Sequence, residues 1–270
     1  MNDSIPWQEK PPWDKYRRIL SGFDPSVILA IDKTPRPNVF AVRCLSSEAR
    51  TSVSNISRVK HQNIAKVYEV FVPHDALYVV TDYVPTSLSM ILDCTLGPSP
   101  GQIAATFHQV VGGMKYLTSC DLACVCLQES DILVANSGHV TIGNNHPISS
   151  VYLRSLTASA SFDNCYSYRH PGDVSVLSRT MVKAIQKRRE GEGIWPGDYR
   201  EVFEDLNEWS VTFNDFFFQT VLGVSWKGLS YHPFLTSAPG KEVLIPLVKI
   251  AQASGKFVMG GQWESTQWGV

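Results

Sequence analysis

Three cysteines are the first residues of this sequence to suggest chemistry, because Cys120, Cys124 and Cys126 lie close together. Such a cluster can hold a metal ion or respond to oxidants when its thiols are ionised and accessible. No second Cys or His pair follows at zinc-like spacing, and no neighbouring residue supplies the positive charge that would ionise a thiol. We therefore expect buried, reduced thiols and no metal, with oxidation sensing as the alternative.

The charge balance bears on the classes of partner. The chain has 24 Lys and Arg against 25 Asp and Glu, a formal net charge of -1. Nucleic-acid or anionic-membrane binding needs a clustered excess of Lys and Arg, and the only basic run is Lys187-Arg188-Arg189. We interpret this run as a solvated helix end. No apolar run approaches the about 18 residues of a membrane span. The sequence thus predicts a soluble intracellular protein, cytoplasmic or nuclear, that binds neither nucleic acid nor membrane.

Short β-branched runs bounded by turn residues predict a small antiparallel sheet in the first third of the chain. The predicted strands are Ser26–Ile31, Val39–Leu45, Ile64–Val72 and Leu77–Val84. Between the second and third, Ser47–Val59 is the one stretch with helical character, although its Ser and Thr content lowers its propensity. Residues 1–15 carry Pro and Trp without periodicity, which predicts an extended lead-in that docks on the domain or on a partner.

The pattern becomes helical after Pro85. Pro100 opens a segment whose apolar residues recur at helical spacing, namely Ile103, Phe107, Val110, Val111, Met114 and Leu117. Two short apolar runs, Ile132–Val134 and Val140–Ile142, flank Asn136-Ser137-Gly138, which is favourable turn chemistry and predicts a hairpin. Further helices are expected from Asp173 to about Leu222.

Several strings resemble motifs of eukaryotic-type protein kinases, in the family's order and with family-like separations. They are Phe40-Ala41-Val42-Arg43 for VAIK, Lys60-His61-Gln62-Asn63-Ile64 for the HPNI string after helix C, Leu77–Tyr83 for the fifth strand and hinge, Leu127–Ile142 for the LKPENILL segment and its hairpin, and Leu229–Leu235 for LxHPFL. The resemblance implies an α+β, bilobal protein-kinase-like fold with a small β-rich N-lobe and a larger α-helical C-lobe.

The same resemblance implies a division of the chain. Residues 1–15 would be the lead-in, residues 16–235 the kinase-like domain and residues 236–270 an apolar C-terminal extension. Within the domain, the N-lobe would span residues 16–84 and the C-lobe residues 85–235. The apolar residues of the extension must be buried, in cis or against another protein, and packing in cis is the favoured alternative.

Kinases stabilise phosphoryl transfer with a lysine, carboxylate-held Mg²⁺ and a base on the acceptor hydroxyl. The lysine position here holds Arg43, whose planar fork does not reproduce an ammonium group. Its glutamate partner on helix C corresponds to Ser52, which cannot form an ion pair. Glu48 lies one helical turn away and can substitute only if this register is wrong.

The loop that covers the phosphates in kinases corresponds to Leu20–Ser26. It has a single glycine, Gly22, followed by a bulky Phe23, by Asp24, which would repel phosphate, and by Pro25, which lacks an amide donor. This loop is not suited to cover a nucleotide.

The base and metal positions also depart from the family. The catalytic aspartate corresponds to Cys126, a thiol that is mainly neutral without activation. The catalytic-loop asparagine corresponds to Asp131, and the DFG aspartate to Asn144, whose neutral amide cannot balance a divalent cation. Asp173, at the start of the family's helix F, is the expected surviving structural contact.

These departures together imply a catalytically inactive pseudokinase that acts as a scaffold or allosteric partner of another protein. The alternative is a nucleotide-binding or weakly active atypical protein serine/threonine kinase. In that case Thr81 would be the gatekeeper, and the backbone near Asp82 and Val84 would be the hinge that holds adenine. No cofactor is expected under the first reading, whereas ATP and Mg²⁺ are required under the second.

Overall fold

The computed structural model describes residues 5–21, 27–74, 76–94, 96–124, 127–143, 153–155, 174–191 and 210–254. The chain forms two compact units. The first contains Met1–Val84, Gly112–Asp131 and Thr141–Asp173, and the second contains Pro85–Val111, Ile132–Val140 and Val174–Val270. Both units therefore combine segments that are distant in the chain.

The first unit is built on a six-stranded sheet. Its strands are β1 (Trp7–Gln8), β2 (Tyr16–Ser21), β3 (Val27–Asp32), β4 (Val39–Leu45), β5 (Val67–Phe71) and β6 (Leu77–Asp82). They are arranged in the order β1-β5-β6-β4-β3-β2, and all pairs are antiparallel except β1 with β5. The four strands predicted from β-branched runs are all present, with small shifts at their ends.

Both faces of this sheet are apolar, since side chains alternate along each strand. One face, the inner cluster, buries Val53, Val67, Val70, Leu77 and Val79. The opposite face, the outer cluster, buries Tyr16, Ala30, Val42, Phe71 and Val80. Complete burial of a Val or Phe side chain contributes about 1.5–3 kcal/mol, so both clusters hold the sheet together.

The predicted weak helix is present and short. A 3-10 turn, Ser47–Ala49, leads into α1, Arg50–Ile56. Ser, Thr and Asn are poor helix formers, and a helix this short is stable only through packing. Val53 and Ile56 provide that packing by contacting the inner cluster.

The lead-in docks on the sheet instead of remaining irregular. Trp7 and Gln8 pair with Val70 and Phe71 of β5 as a parallel edge strand. A 3-10 turn, Pro12–Asp14, follows, and Trp13 packs on the outer cluster. Residues 5–15 are thus held in cis.

Helix α3 (Pro100–Ser119) forms over the predicted segment. The predicted hairpin also forms, from β8 (Ile132–Val134) and β9 (Val140–Ile142). Its turn needs a glycine, because Gly138 has a φ of 77° and a Cβ there would collide with the Lys241 carbonyl. Local turn chemistry and a tertiary contact therefore specify the same residue.

The other described elements are mostly helical. They are α2 (Leu88–Leu92), α4 (Ser175–Gly191), α5 (Val211–Val221), α6 (Trp226–Leu229), α7 (Pro233–Thr236), a 3-10 turn (Lys241–Leu244) that continues into α8 (245–254), and the short paired strands β7 (Leu122–Cys124) and β10 (Leu153–Ser155). Across these stretches of chain, no helix has both the length and the apolar composition needed to cross a membrane.

The first part of the C-terminal extension packs on the second unit. Leu247 and Val248 of α8 are buried. Gln252 donates to Thr86 Oγ1 at 3.0 Å and to Asn136 Oδ1 at 2.8 Å. Residues 241–254 are thus held in cis, and the apolar residues after 254 lie outside the described residues.

Candidate functional site

Two neighbouring strands place Arg43 and Thr81 on one face of the sheet. The register of β4 and β6 pairs Ala41 with Thr81 and Arg43 with Val79. Because side chains alternate, Arg43 and Thr81 share the face on which Val79 joins the inner cluster. Both are buried, with 6% of Arg43 and 7% of Thr81 exposed. Arg43 is engaged by other groups of the protein, as a buried charge requires.

Ser52 and Glu48, the two residues considered from the sequence as partners of Arg43, lie in different elements. Ser52 is half-buried in α1, next to Val53, which contacts the sheet. Glu48 is exposed on the 3-10 turn that precedes the helix. Ile56 and Val67, both apolar, meet at the inner cluster.

The predicted hinge lies at the C-terminal end of β6 and in the residues that follow it. Thr81 Oγ1 donates to the Asp82 carbonyl at 3.4 Å. The Asp82 carboxylate accepts a hydrogen bond of 2.7 Å from the Tyr68 hydroxyl. Burial, this hydrogen bond and the nearby negative charge raise the pKa of Tyr68 to about 12. The Asp82 side chain is therefore held by β5, and the half-buried Val84 ends the first segment of the unit.

Asp131 closes the turn before β8. It ends a 3-10 helix, Glu129–Asp131, and its side chain is fully buried. Its Oδ2 accepts from the Gln128 backbone N–H at 3.0 Å, and its carbonyl accepts from the Gly143 N–H at 2.8 Å. The carboxylate thus holds backbone, which a neutral amide oxygen can also do.

The segment after α1 is anchored on α3 and β9. His61 Nδ1 accepts from the Asn63 N–H at 3.1 Å, and its ring stacks on Tyr116 at 4.8 Å. Burial lowers the pKa of His61. Asn63 O accepts from the Ile142 N–H, and the Ala65 N–H donates to Ile142 O, both at 2.8 Å. Position 113 is crowded, since a Cβ there would lie 3.1 Å from Asn63 O.

Strand β7 leads towards the predicted base, and β10 pairs with it antiparallel, joining Leu153 to Cys124 and Ser155 to Leu122. Helix α1 lies against β10. The first unit therefore brings together the helix of Ser52 and the strand that precedes Cys126.

Several predicted site residues lie outside the described residues. They are Gly22, Phe23, Asp24 and Pro25 of the loop, Cys126, Asn144 and Asp173. The six that are described are Arg43, Ser52, Thr81, Asp82, Val84 and Asp131, and all belong to the first unit.

The thiol and metal expectations are tested only within the described ranges. There, no three His, Cys, Asp or Glu side chains converge as metal ligands would. Cys44, Cys94 and Cys120 are free thiols, of which Cys94 is buried and Cys120 exposed.

Sequence reasoning missed a cavity in the second unit. It measures about 220 Å³ and is lined by Ser89, Leu92, Asp93, Lys183, Gln186 and Lys187. The available signal was the spacing of Lys183 and Lys187, one helical turn apart on α4. We had interpreted Lys187 only as part of a solvated helix end.

Among known protein families, the model of the protein tyrosine and serine/threonine kinase family matches residues 41–154. The match begins in β4 and ends in β10, and it includes Arg43, Thr81 and Asp131. No curated protein matches the chain.

Proposed function

We propose that this chain, whose residues 41–154 match the protein kinase family model, is a pseudokinase, which keeps the kinase fold, transfers no phosphate and acts by binding another protein. The single observation that carries the proposal is the burial of Arg43, the residue that the motif resemblance aligns with the phosphate-binding lysine of kinases. A guanidinium is larger than an ammonium and spreads its charge over a fork. Held on the α1 face of β4 beside Val79, it is suited to internal contacts.

The acid at Asp131 supports the same proposal. The structure gives the Asp131 carboxylate a task inside the protein, because its side chain is fully buried and its Oδ2 accepts a hydrogen bond from the Gln128 N–H. The other metal position corresponds to the neutral Asn144. In kinases the ions of Mg²⁺-ATP, which supplies the transferred phosphoryl group, are held by the DFG aspartate and the catalytic-loop asparagine; here the residue aligned with the DFG aspartate is neutral, so the principal metal position has no carboxylate.

The base position supports the proposal independently of nucleotide. Cys126 stands where a carboxylate would accept the proton of the acceptor hydroxyl, and a neutral thiol is a poor acceptor. Removal of a single charged catalytic group commonly costs two or more orders of magnitude in rate. In the alignment inferred from the motif strings, the lysine, its glutamate, the base and the principal metal ligand are all replaced, and this supports the proposal.

The proposal is tested by incubating the purified chain with γ-labelled ATP, Mg²⁺ or Mn²⁺, and general protein substrates. We expect no label on the chain or on the substrates above a heat-inactivated control, and no change in Arg43→Ala. Label transfer that disappears in Arg43→Ala would overturn the proposal in favour of an atypical serine/threonine kinase.

A further inference from the structure

The cavity between α2 and α4 has walls of opposite character. One wall comes from α2 and its C-terminal end, with Ser89, Leu92 and Asp93. The other comes from α4, with Lys183, Gln186 and Lys187. Leu92 is buried, and the charged side chains are exposed or half-buried at the opening.

Packing fixes the α2 wall. Ser87 caps α2 by accepting from the Met90 N–H at 3.2 Å. Cys94 Sγ donates to the Met90 carbonyl at 3.2 Å at the other end. Beyond it, Gly97 lies directly on α4, because a Cβ there would be 2.6 Å from Ala184 O and 2.8 Å from Arg188 N. The two walls therefore have a defined separation.

Helical periodicity fixes the α4 wall. The residues that α4 buries are Val176, Leu177, Ser178, Thr180, Met181, Ala184 and Ile185. Lys183 and Lys187 are four residues apart and lie on the remaining face, so their side chains are neighbours. Among the described residues that line the cavity, Asp93 is the one carboxylate.

The chemistry and the size of this cavity indicate that its ligand is an anionic side chain. Its donors are two ammonium groups, the Gln186 amide and the Ser89 hydroxyl, and Leu92 supplies apolar contact. Drug-sized ligands occupy cavities of about 300–1,000 Å³, whereas this one has about 220 Å³. It is large enough for one side chain and too small for a nucleotide.

We infer that this cavity is a docking pocket for an acidic side chain, glutamate or phosphoserine, carried by an extended peptide segment of the protein partner. The inference rests on the protein-binding part of the proposed function. A peptide suits the pocket better than a free anion, because Asp93 repels any anion and only a peptide also brings backbone N–H groups that Asp93 can accept, which offsets this repulsion. Lys183 and Lys187 already interact within the protein, so the ligand exchanges contacts and binds with moderate affinity.

The test uses three fluorescein-labelled Gly-Ser peptides on the full chain, with three central glutamates, three glutamines or one phosphoserine, measured by fluorescence anisotropy at physiological salt. We expect the glutamate or phosphoserine peptide to bind and the glutamine peptide not to bind. The tighter of the two anionic peptides identifies the source of the negative charge. Equal binding of all three, or binding of none, would overturn the inference.

Variants assign the binding to this pocket. We expect Lys183→Gln/Lys187→Gln to weaken anionic-peptide binding about tenfold or more, since charge-assisted hydrogen bonds are lost. Asp93→Asn keeps an acceptor, removes repulsion and should tighten binding severalfold. The matched control is Lys227→Gln/Lys249→Gln, two exposed lysines of the same unit outside the cavity. Equal affinity for the cavity variant and the control would overturn the assignment.

These results are distinguishable from a failure of the proposed function. If none of the three peptides binds, only the docking pocket is disproved, because the phosphate-transfer assay does not depend on it. If the chain transfers phosphate and still binds the anionic peptide through Lys183 and Lys187, the pseudokinase proposal is disproved and the docking pocket is supported.

Discussion

At the residue scale, Asp131 performs a structural task through its acceptor oxygen. Its hydrogen bond from Gln128 is 3.0 Å long, and removing the acceptor leaves a polar group without a partner. We expect Asp131→Ala to lower the free energy of unfolding by about 1–3 kcal/mol. Asp131→Asn keeps the acceptor and should lower it less. Urea unfolding measures both, and equal losses would mean that the charge of Asp131, and not its acceptor, is what the fold needs.

Tyr68 is a residue whose protonation state affects the free energy of unfolding. Its pKa is raised to about 12 by burial and by the bond to Asp82. Because the pKa of Tyr68 is higher in the folded state than in the unfolded state, the folded state binds the phenol proton more tightly. The stability that this proton contributes is present in full below the unfolded pKa, about 10, and is lost as the pH rises towards the folded pKa. Tyr68→Phe should therefore flatten the fall in stability above pH about 10.

The measurement for Tyr68 is an ultraviolet titration of phenolate absorbance with and without the substitution. The absorbance missing from Tyr68→Phe should belong to the last part of the wild-type titration, near pH 12. Tyr16, whose pKa is also raised by burial and by Glu69, remains as an internal reference. Missing absorbance near pH 10, the ordinary tyrosine value, would show that Asp82 does not hold the Tyr68 proton.

The sequence predicts the strands on which Arg43 and Thr81 lie, but not the groups that the side chains of this region contact. Arg43 and Thr81 were assigned to strands because their neighbours alternate or are β-branched. The Tyr68–Asp82 bond was not foreseen, because a register shift between Val67 and Glu69 decides which residue of β5 lies opposite the end of β6. Such an irregularity depends on tertiary packing and leaves no local signal.

At the element scale, the close approach of α3 to the 61–65 segment gives a sharp comparison between two adjacent glycines. A Cβ at Gly113 would lie 3.1 Å from both Asn63 O and Ile142 Cδ1, whereas at Gly112 the nearest atom is 3.7 Å away. Alanine gains helix propensity equally at both positions, so the difference isolates the crowding. We expect Gly113→Ala to be less stable than Gly112→Ala by about 1–3 kcal/mol. Equal stabilities in urea would contradict this packing.

The elements differ in how far the sequence revealed them. β4, α3 and the β8–β9 hairpin follow from periodicity and turn residues, which are local. The pairing of β1 was not predicted, because two residues carry no strand periodicity and their partners, Val70 and Phe71, are distant in sequence. The same holds for the docking of α8, where Gln252 reaches Thr86.

At the scale of the whole molecule, the order of motif strings predicted a protein-kinase-like fold, and the protein kinase family model matches residues 41–154. The division into two units was not predictable in detail, since it assigns Pro100–Val111 and Gly112–Ser119 of one continuous helix to different units. The cavity was also hidden, because Asp93 and Lys183 meet only after α2 and α4 pack. The order of motifs can be read from the sequence, whereas a pocket forms only through tertiary contacts.

The central claim is that the chain does not use Mg²⁺-ATP, and nucleotide binding tests it most directly because no acceptor substrate has to be guessed. The melting temperature should be measured with millimolar ATP, with Mg²⁺ or with EDTA, alongside Arg43→Ala. A ligand at 100 times its Kd stabilises the folded state by about 2.7 kcal/mol, which is a shift of several degrees. We predict no shift in any condition. A Mg²⁺-dependent rise in the wild type that Arg43→Ala abolishes would contradict the account and restore a working nucleotide site.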